Sequence, residues 1–139
     1  MLKVKVIAVG KFKETWLEAA LAEYEKRLSP SLRFEWLFPR DDQELGALLE
    51  PPFIALAPKG ELLDSPTFSR KLLQLFERQG SRLVFAIGGP DGIPAPLLKR
   101  ALFCWSLSPL TFTHQIVRLI LVEQIYRALE IAKGSPYHK

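Results

Sequence analysis

The chain predicts a single α/β domain, with a largely parallel sheet and helices on both of its faces, and three observations carry that prediction. Short apolar runs rich in β-formers alternate along the sequence with segments of helical periodicity. Two of the runs, residues 53–57 and 83–87, are continuously apolar, the pattern of strands covered on both faces. A length of 139 residues with 48% hydrophobic side chains fits one packed core, and no repeat, low-complexity tract or linker divides it.

Each element follows in order. Residues 2–9 alternate and then become wholly apolar, as a strand does on entering the middle of a sheet, and Gly10 ends them. Thr15-Trp16-Leu17-Glu18 matches a capping box, and Leu17, Ala20, Leu21, Tyr24 and Leu28 recur at helical spacing until Ser29-Pro30. Residues 33–38 read as a second strand, and Asp41-Asp42-Gln43-Glu44 opens a short polar helix closed by Pro51-Pro52. The strand at 53–57 leads into a loop, Pro58-Lys59-Gly60-Glu61. Ser65 then serves as an N-cap with Pro66 at the first helical position, and Phe68, Leu72, Leu75 and Phe76 mark one face before Gly80. After the strand at 83–87 come a glycine-rich turn, a helical stretch at about 94–102 and a strand-like 105–108. Residues 114–133 form the longest helix, with a wide apolar face and Gly134 and Pro136 as stop signals.

Composition narrows the classes of function. No apolar run approaches the ~20 residues of a membrane span, and lysines alternate through Met1-Leu2-Lys3-Val4-Lys5 where a signal peptide would be apolar, so a cytoplasmic location is expected. Cys104 is the only cysteine, which excludes an internal disulfide or a multi-cysteine metal site, and His114 and His138 lie far apart, so no metal is expected. The net charge of +4 is uneven: residues 1–87 carry a net +1 and residues 88–139 a net +3. That excess favours approach to nucleic acid, yet ordinary enzymes carry as much.

Three segments hold the chemistry. Gly88-Gly89-Pro90-Asp91-Gly92 directly follows a buried strand, where α/β folds bring backbone against a ligand; it reads equally as a tight turn. It is no dinucleotide fingerprint, and no phosphate-binding G-x-x-x-x-G-K-[ST] occurs. The hydroxyl-rich loop from Trp105 to Gln115 can line a pocket for a flat aromatic group, with Leu107, Leu110 and Phe112 as apolar walls and Thr113 capping the last helix. The ending Tyr137-His138-Lys139 combines a ring that stacks on a base, an imidazole that exchanges a proton and a cation that meets phosphate, although chain termini are commonly frayed. On the last helix Arg118 and Arg127 fall on the polar stripe, by default a solvated one, and Glu123 precedes Arg127 by the four residues of a helix ion pair. Ser106, Ser108, His114 and Asp91 lack the G-x-S-x-G elbow that would make them a hydrolytic set.

Taken together, Ile87-Gly88-Gly89-Pro90-Asp91-Gly92, the loop from Trp105 to Gln115, Val117-Arg118, Glu123-Gln124-Ile125-Tyr126-Arg127-Ala128 and Tyr137-His138-Lys139 closely resemble the ribosomal RNA large subunit methyltransferase H family. The opening Lys3-Val4-Lys5-Val6-Ile7-Ala8-Val9-Gly10-Lys11 fits as well, while Ala57 stands where members often carry aspartate. The resemblance implies a SPOUT-type domain with a C-terminal trefoil knot, S-adenosylmethionine as cofactor and a homodimer as the working unit, the apolar face of the last helix being its interface. It implies methyl transfer to N3 of a pseudouridine in large-subunit ribosomal RNA within the assembled ribosome. By position, cofactor contacts carry over to Leu56, Gly88, Leu107, Ser108, Pro109, Leu110, Thr111 and Phe112. His138, or second to it His114, is expected to assist loss of the imide proton, with Arg118 and Arg127 steadying charge and Tyr137 positioning the base. The rival readings are a cofactor-binding RNA module without transfer activity and an α/β enzyme using a phosphorylated nucleotide.

Overall fold

A computed structural model describes residues 1–139 and contains ten elements: β1 (Leu2–Ala8), α1 (Thr15–Leu28), β2 (Leu32–Leu37), α2 (Asp42–Leu48), β3 (Ile54–Leu62), α3 (Ser65–Arg78), β4 (Arg82–Ile87), α4 (Ala95–Leu98), β5 (Phe103–Ser106) and α5 (Ile116–Lys133). All four strand pairings are parallel, in the order β2-β1-β4-β3-β5. Strand alternation divides the core in two. Val4, Val6 and Ala8 of β1, Phe85 and Ile87 of β4, and Ile54 and Leu56 of β3 share one cluster with Leu17 and Leu21 of α1, Phe68 and Leu72 of α3, and Leu121 and Ile125 of α5. Ile7, Ala55 and Ala86 turn the other way, toward Leu45 of α2, Leu49 and Ile93. Helices therefore cover both faces, as the sequence predicts, with the three long ones on the larger cluster.

Several boundaries differ from the expected ones. Thr15 does not cap α1: Glu14 is the N-cap, through its backbone, and no side-chain cap forms. At α3 the cap is Asp64, whose carboxylate accepts from Thr67 N at 2.8 Å, while Ser65, already the first helical residue, donates its Oγ to Gln124 Oε1 at 2.7 Å. Asp41 caps α2 as its sequence position implies, accepting from Glu44 N. The stretch after the glycine turn supplies only four helical residues, and β5 begins two residues before the expected strand.

The most consequential difference lies in β3. Its pairing with β4 covers only Ile54 and Ala55, so the two strands part beyond that point. Its pairing with β5 continues, but both Leu56 and Glu61 stand opposite Trp105, and residues 57–60 are thrown out as a bulge. Gly60 makes the return possible: a Cβ there would lie 2.7 Å from the Cys104 carbonyl oxygen. The expected loop at 58–61 is thus a bulge within one longer strand.

Candidate functional site

Because β3 and β4 diverge, a cleft of about 430 Å³ opens between their C-terminal ends, where parallel α/β sheets bind ligands. Leu56, Ala57, Pro58 and Lys59 form one side and Ile87 through Ile93 the other, while Leu107, Ser108, Leu110, Thr111, Phe112 and His114 close it. The floor depends on Gly88. A Cβ there would run into the backbone of Gly92, with Gly92 O and Ile93 N at 2.7 Å, so only glycine lets the turn fold over the end of β4. Every sequence-predicted cofactor residue lines this cleft except Pro109, which shapes the loop without facing the cavity.

Short-range bonds set the shape of that loop. Ser106 Oγ, buried, donates to Ser108 O at 3.1 Å, Leu110 N donates to Ser108 Oγ at 3.0 Å, and Ile116 N donates to Thr113 Oγ1 at 3.2 Å. Thr113 thus gives its hydroxyl to the first turn of α5, but the N-cap is Gln115 and not the expected Thr113, and the side chain of Gln115 makes no capping bond. The backbone amides of Thr111 and Phe112 bond to nothing in the chain and remain available. Trp105, stacked on Phe68 at 3.9 Å between centroids, forms a rigid wall with Leu107.

Beyond that wall is a second cavity, of about 400 Å³, lined by Leu63, Asp64, Ser65, Pro66, Ile120, Gln124 and His138 as well as Trp105 and Leu107. The C-terminal tail docks beside it. Glu123 accepts from Arg127 Nη2 at 2.8 Å and from the Tyr137 hydroxyl at 2.7 Å, and Arg127 Nη1 lies 3.0 Å from His138 Nδ1. Guanidinium nitrogens only donate, so Nδ1 is the acceptor there and the neutral His138 ring carries its proton on Nε2. Tyr137 also packs edge-on against Tyr126 at 4.7 Å. Burial and the Glu123 carboxylate raise the Tyr137 hydroxyl well above its ordinary pKa of 10.0, and Glu123 likewise raises that of Arg127. The tail is therefore tied down rather than frayed. The Glu123–Arg127 pair is the one its spacing predicts, but the role of Glu123 as hub for Tyr137, and the Ser65–Gln124 link to α3, were not read from sequence; they depend on a chain reversal after Gly134 and a helix contact that periodicity does not encode.

Arg118 corrects the solvated-stripe expectation. Its side chain is fully buried, with Nη2 donating to Val9 O at 2.8 Å and to Gly10 O at 2.6 Å, and its guanidinium lies 5.2 Å from the Phe12 ring centroid. Burial lowers its pKa from 12.5 to about 10. In this conformation it clamps the end of β1 to α5 and does not face the cleft. Arg127 lies nine residues farther along α5, about 13 Å along the helix axis; within one chain His114 lines the cleft, while Arg127, Tyr137 and His138 form a separate group around Glu123, of which His138 lines the second cavity. His114 makes no hydrogen bond within the chain, and its pKa lies below the ordinary 6.5 owing to burial, Arg118 and Lys13.

Part of the expected interface is also reassigned. Leu121, Ile125 and Leu129 of α5 are buried in the chain's own core against α1 and α3, whereas Ile116, Leu119 and Ile120 remain partly exposed.

A family model described as "Predicted SPOUT methyltransferase" matches residues 2–138. The chain is 49% identical over 141 aligned positions to the ribosomal RNA large subunit methyltransferase H of Protochlamydia amoebophila, covering 100% of both chains. It is 39% identical to that of Desulfitobacterium hafniense, again over 100% of both, and 43% identical to that of a Synechococcus strain over 99% of this chain and 96% of the relative. The chain belongs to the ribosomal RNA large subunit methyltransferase H family. Among solved structures, a probable methylase family protein from Haemophilus influenzae superposes with a TM-score of 0.53 at 9% identity, covering 94% of this chain and 66% of that one, a likeness of fold.

Methyltransferases of the SPOUT class generally use S-adenosylmethionine, and the cleft has the chemistry for it. Its volume falls in the range of small-molecule sites. Leu56, Leu107, Leu110 and Phe112 offer apolar walls for a flat purine, the loop offers backbone polar groups for its edge, and Asp91 offers a carboxylate at the rim.

Proposed function

We propose that this enzyme transfers a methyl group from S-adenosylmethionine to N3 of a pseudouridine in large-subunit ribosomal RNA, acting as a homodimer on assembled ribosomes. The observation that carries the reading is the full-length membership of the family together with a fitting cleft at the parting of β3 and β4. Bound in that cleft, the sulfonium cofactor supplies an already activated methyl group. The protein's part is to hold Leu56, Gly88 and the 107–112 loop around the donor, align the acceptor base, and receive the imide proton.

Of the two imidazoles, His114 is favoured as proton acceptor by geometry: it lines the cleft, makes no internal hydrogen bond, and is held neutral by burial and by the charges of Arg118 and Lys13. His138, preferred on sequence, has Nδ1 occupied by Arg127, and accepts a proton only when the tail is drawn off that guanidinium. Arg127, Tyr137 and His138 then hold the base and its phosphate. The separation of these residues from the cleft along α5 supports a dimer in which the tail of one subunit completes the cleft of the other, with Ile116, Leu119 and Ile120 in the interface. The same reading includes a trefoil knot in the C-terminal part of the fold and a cytoplasmic site of action; no helix is long and apolar enough to cross a membrane.

The test is incorporation of labelled methyl from S-adenosylmethionine into ribosomes lacking the modification, with and without the target pseudouridine, and into isolated large subunits. Labelling that needs both the pseudouridine and the assembled ribosome is the expected result. Binding of cofactor with no ribosome labelled would leave the cofactor-binding RNA module as the better account.

A further inference from the structure

A feature outside the cleft and tail is the loop joining β1 to α1. It is stitched to the first turn of α5 by reciprocal bonds across more than a hundred residues: Lys13 N donates to Gln115 Oε1 at 3.2 Å, and Gln115 Nε2 donates to Lys11 O at 3.1 Å. Gln115 is buried, and Arg118 adds its two bonds to the Val9 and Gly10 carbonyls. Four hydrogen bonds from α5 thus fix a loop whose own side chains Lys11 and Lys13 are exposed. The six ion pairs of the chain include neither lysine. Glu14 is the nearest acidic residue in sequence, and Trp16, 53% exposed, follows on α1.

The position of the loop gives it a purpose. Val9 lies against the cleft-lining Gly89, a Cβ on which would be 3.4 Å from Val9 Cγ1, and Gln115 is the neighbour of cleft-lining His114. A loop held rigid at this edge, with two unpaired ammonium groups, meets an anion approaching the mouth of the cleft without first having to be ordered.

Resting on the methyltransferase reading above, we infer that Lys11 and Lys13, presented by the Gln115–Arg118 clamp, form a phosphate-contacting surface that docks the ribosomal RNA backbone beside the cleft. Such contacts position a nucleic acid without reading its sequence, and each released counterion leaves its mark on the salt dependence of binding. The exposed Trp16 indole, three residues after Lys13, offers an aromatic surface for a base.

The experiment compares wild type, the Lys11→Ala/Lys13→Ala double variant and the charge-keeping Lys11→Arg/Lys13→Arg variant in two assays: ribosome binding across a salt series, and methyl transfer at varied ribosome concentration. For the alanine pair, KM for ribosomes should rise about tenfold, cofactor affinity should hold, and the log–log salt slope of binding should fall by about 2. The arginine pair should restore both KM and slope. An unchanged slope and KM in the alanine pair would overturn the inference, as would a loss of binding with no change in salt slope, which would point to a protein surface on the ribosome. If wild type transfers no methyl, the methyltransferase reading fails on that arm alone, and the salt series still decides the lysines.

Discussion

Gly88→Ala is the sharpest single perturbation of the cleft. A Cβ at this position would overlap backbone rather than a movable side chain, with the Gly92 oxygen and Ile93 nitrogen at 2.7 Å. Ordinary contacts between such atoms lie near 3.5 Å, so the Gly88–Gly92 turn must move by roughly 1 Å. Overpacking of this kind costs about 1–3 kcal/mol, a fall in melting temperature of roughly 3–10 °C for a domain of this size. Because the displaced turn is one wall of the cleft, cofactor affinity should fall at least about tenfold, or ~1.4 kcal/mol. Gly89→Ala is the control: its Cβ would meet only the Val9 side chain, at 3.4 Å, and should cost less than ~1 kcal/mol. Calorimetric titration with S-adenosylmethionine and a thermal melt read both quantities. Wild-type affinity and stability in Gly88→Ala would refute the argument that this turn's close approach shapes the cleft.

Further expectations follow from the other contacts. Arg118→Leu should destabilise the fold by about 2–4 kcal/mol in a denaturant melt, because the Val9 and Gly10 carbonyls lose their donor, and Arg118→Lys should rescue it only in part. By NMR titration His114 should lose its proton below pH 6.5; since the unfolded ring holds its proton to higher pH, the unfolded state binds more protons between the two values, and this site's share of stability is lost as pH falls through the folded pKa. His114→Ala should lower kcat about a hundred- to ten-thousand-fold with cofactor affinity nearly unchanged, and His138→Ala should lower turnover less; the opposite ranking in single-turnover assays would return proton acceptance to His138. Glu123→Gln should bring the Tyr137 hydroxyl back toward its ordinary pKa in an ultraviolet titration and raise amide exchange in the tail, since the carboxylate both holds that proton and anchors Arg127.

Periodicity exposed the strands and long helices because each has one or two buried faces that write themselves into the order of apolar residues, as in residues 53–57 and 83–87. Glycines after a buried strand and the apolar Leu107, Leu110 and Phe112 likewise pointed to a cleft that they do line, and of the residues the family resemblance carried over to it all but Pro109 line it as well. What escaped were features fixed by partners distant in the chain. Arg118 reads as a surface cation on its helix, yet the carbonyls of Val9 and Gly10, 109 and 108 residues away, hold it in the core. Ser65 is as good a cap as Asp64 by type, yet Asp64 accepts from Thr67 N while Ser65 turns to Gln124 of α5. The bulge of β3 is invisible in Pro58-Lys59-Gly60-Glu61 because it exists only as a register against Trp105. The broad apolar face of α5 was legible as a face, but its division between core and surface is set by α1 and α3.

The most direct test of the central claim is nucleoside mass spectrometry of large-subunit ribosomal RNA after reaction of this enzyme with S-adenosylmethionine and unmodified ribosomes. The account predicts one new product, 3-methylpseudouridine, absent when the target pseudouridine is absent. A methyl group on another nucleoside, or on none, would contradict it.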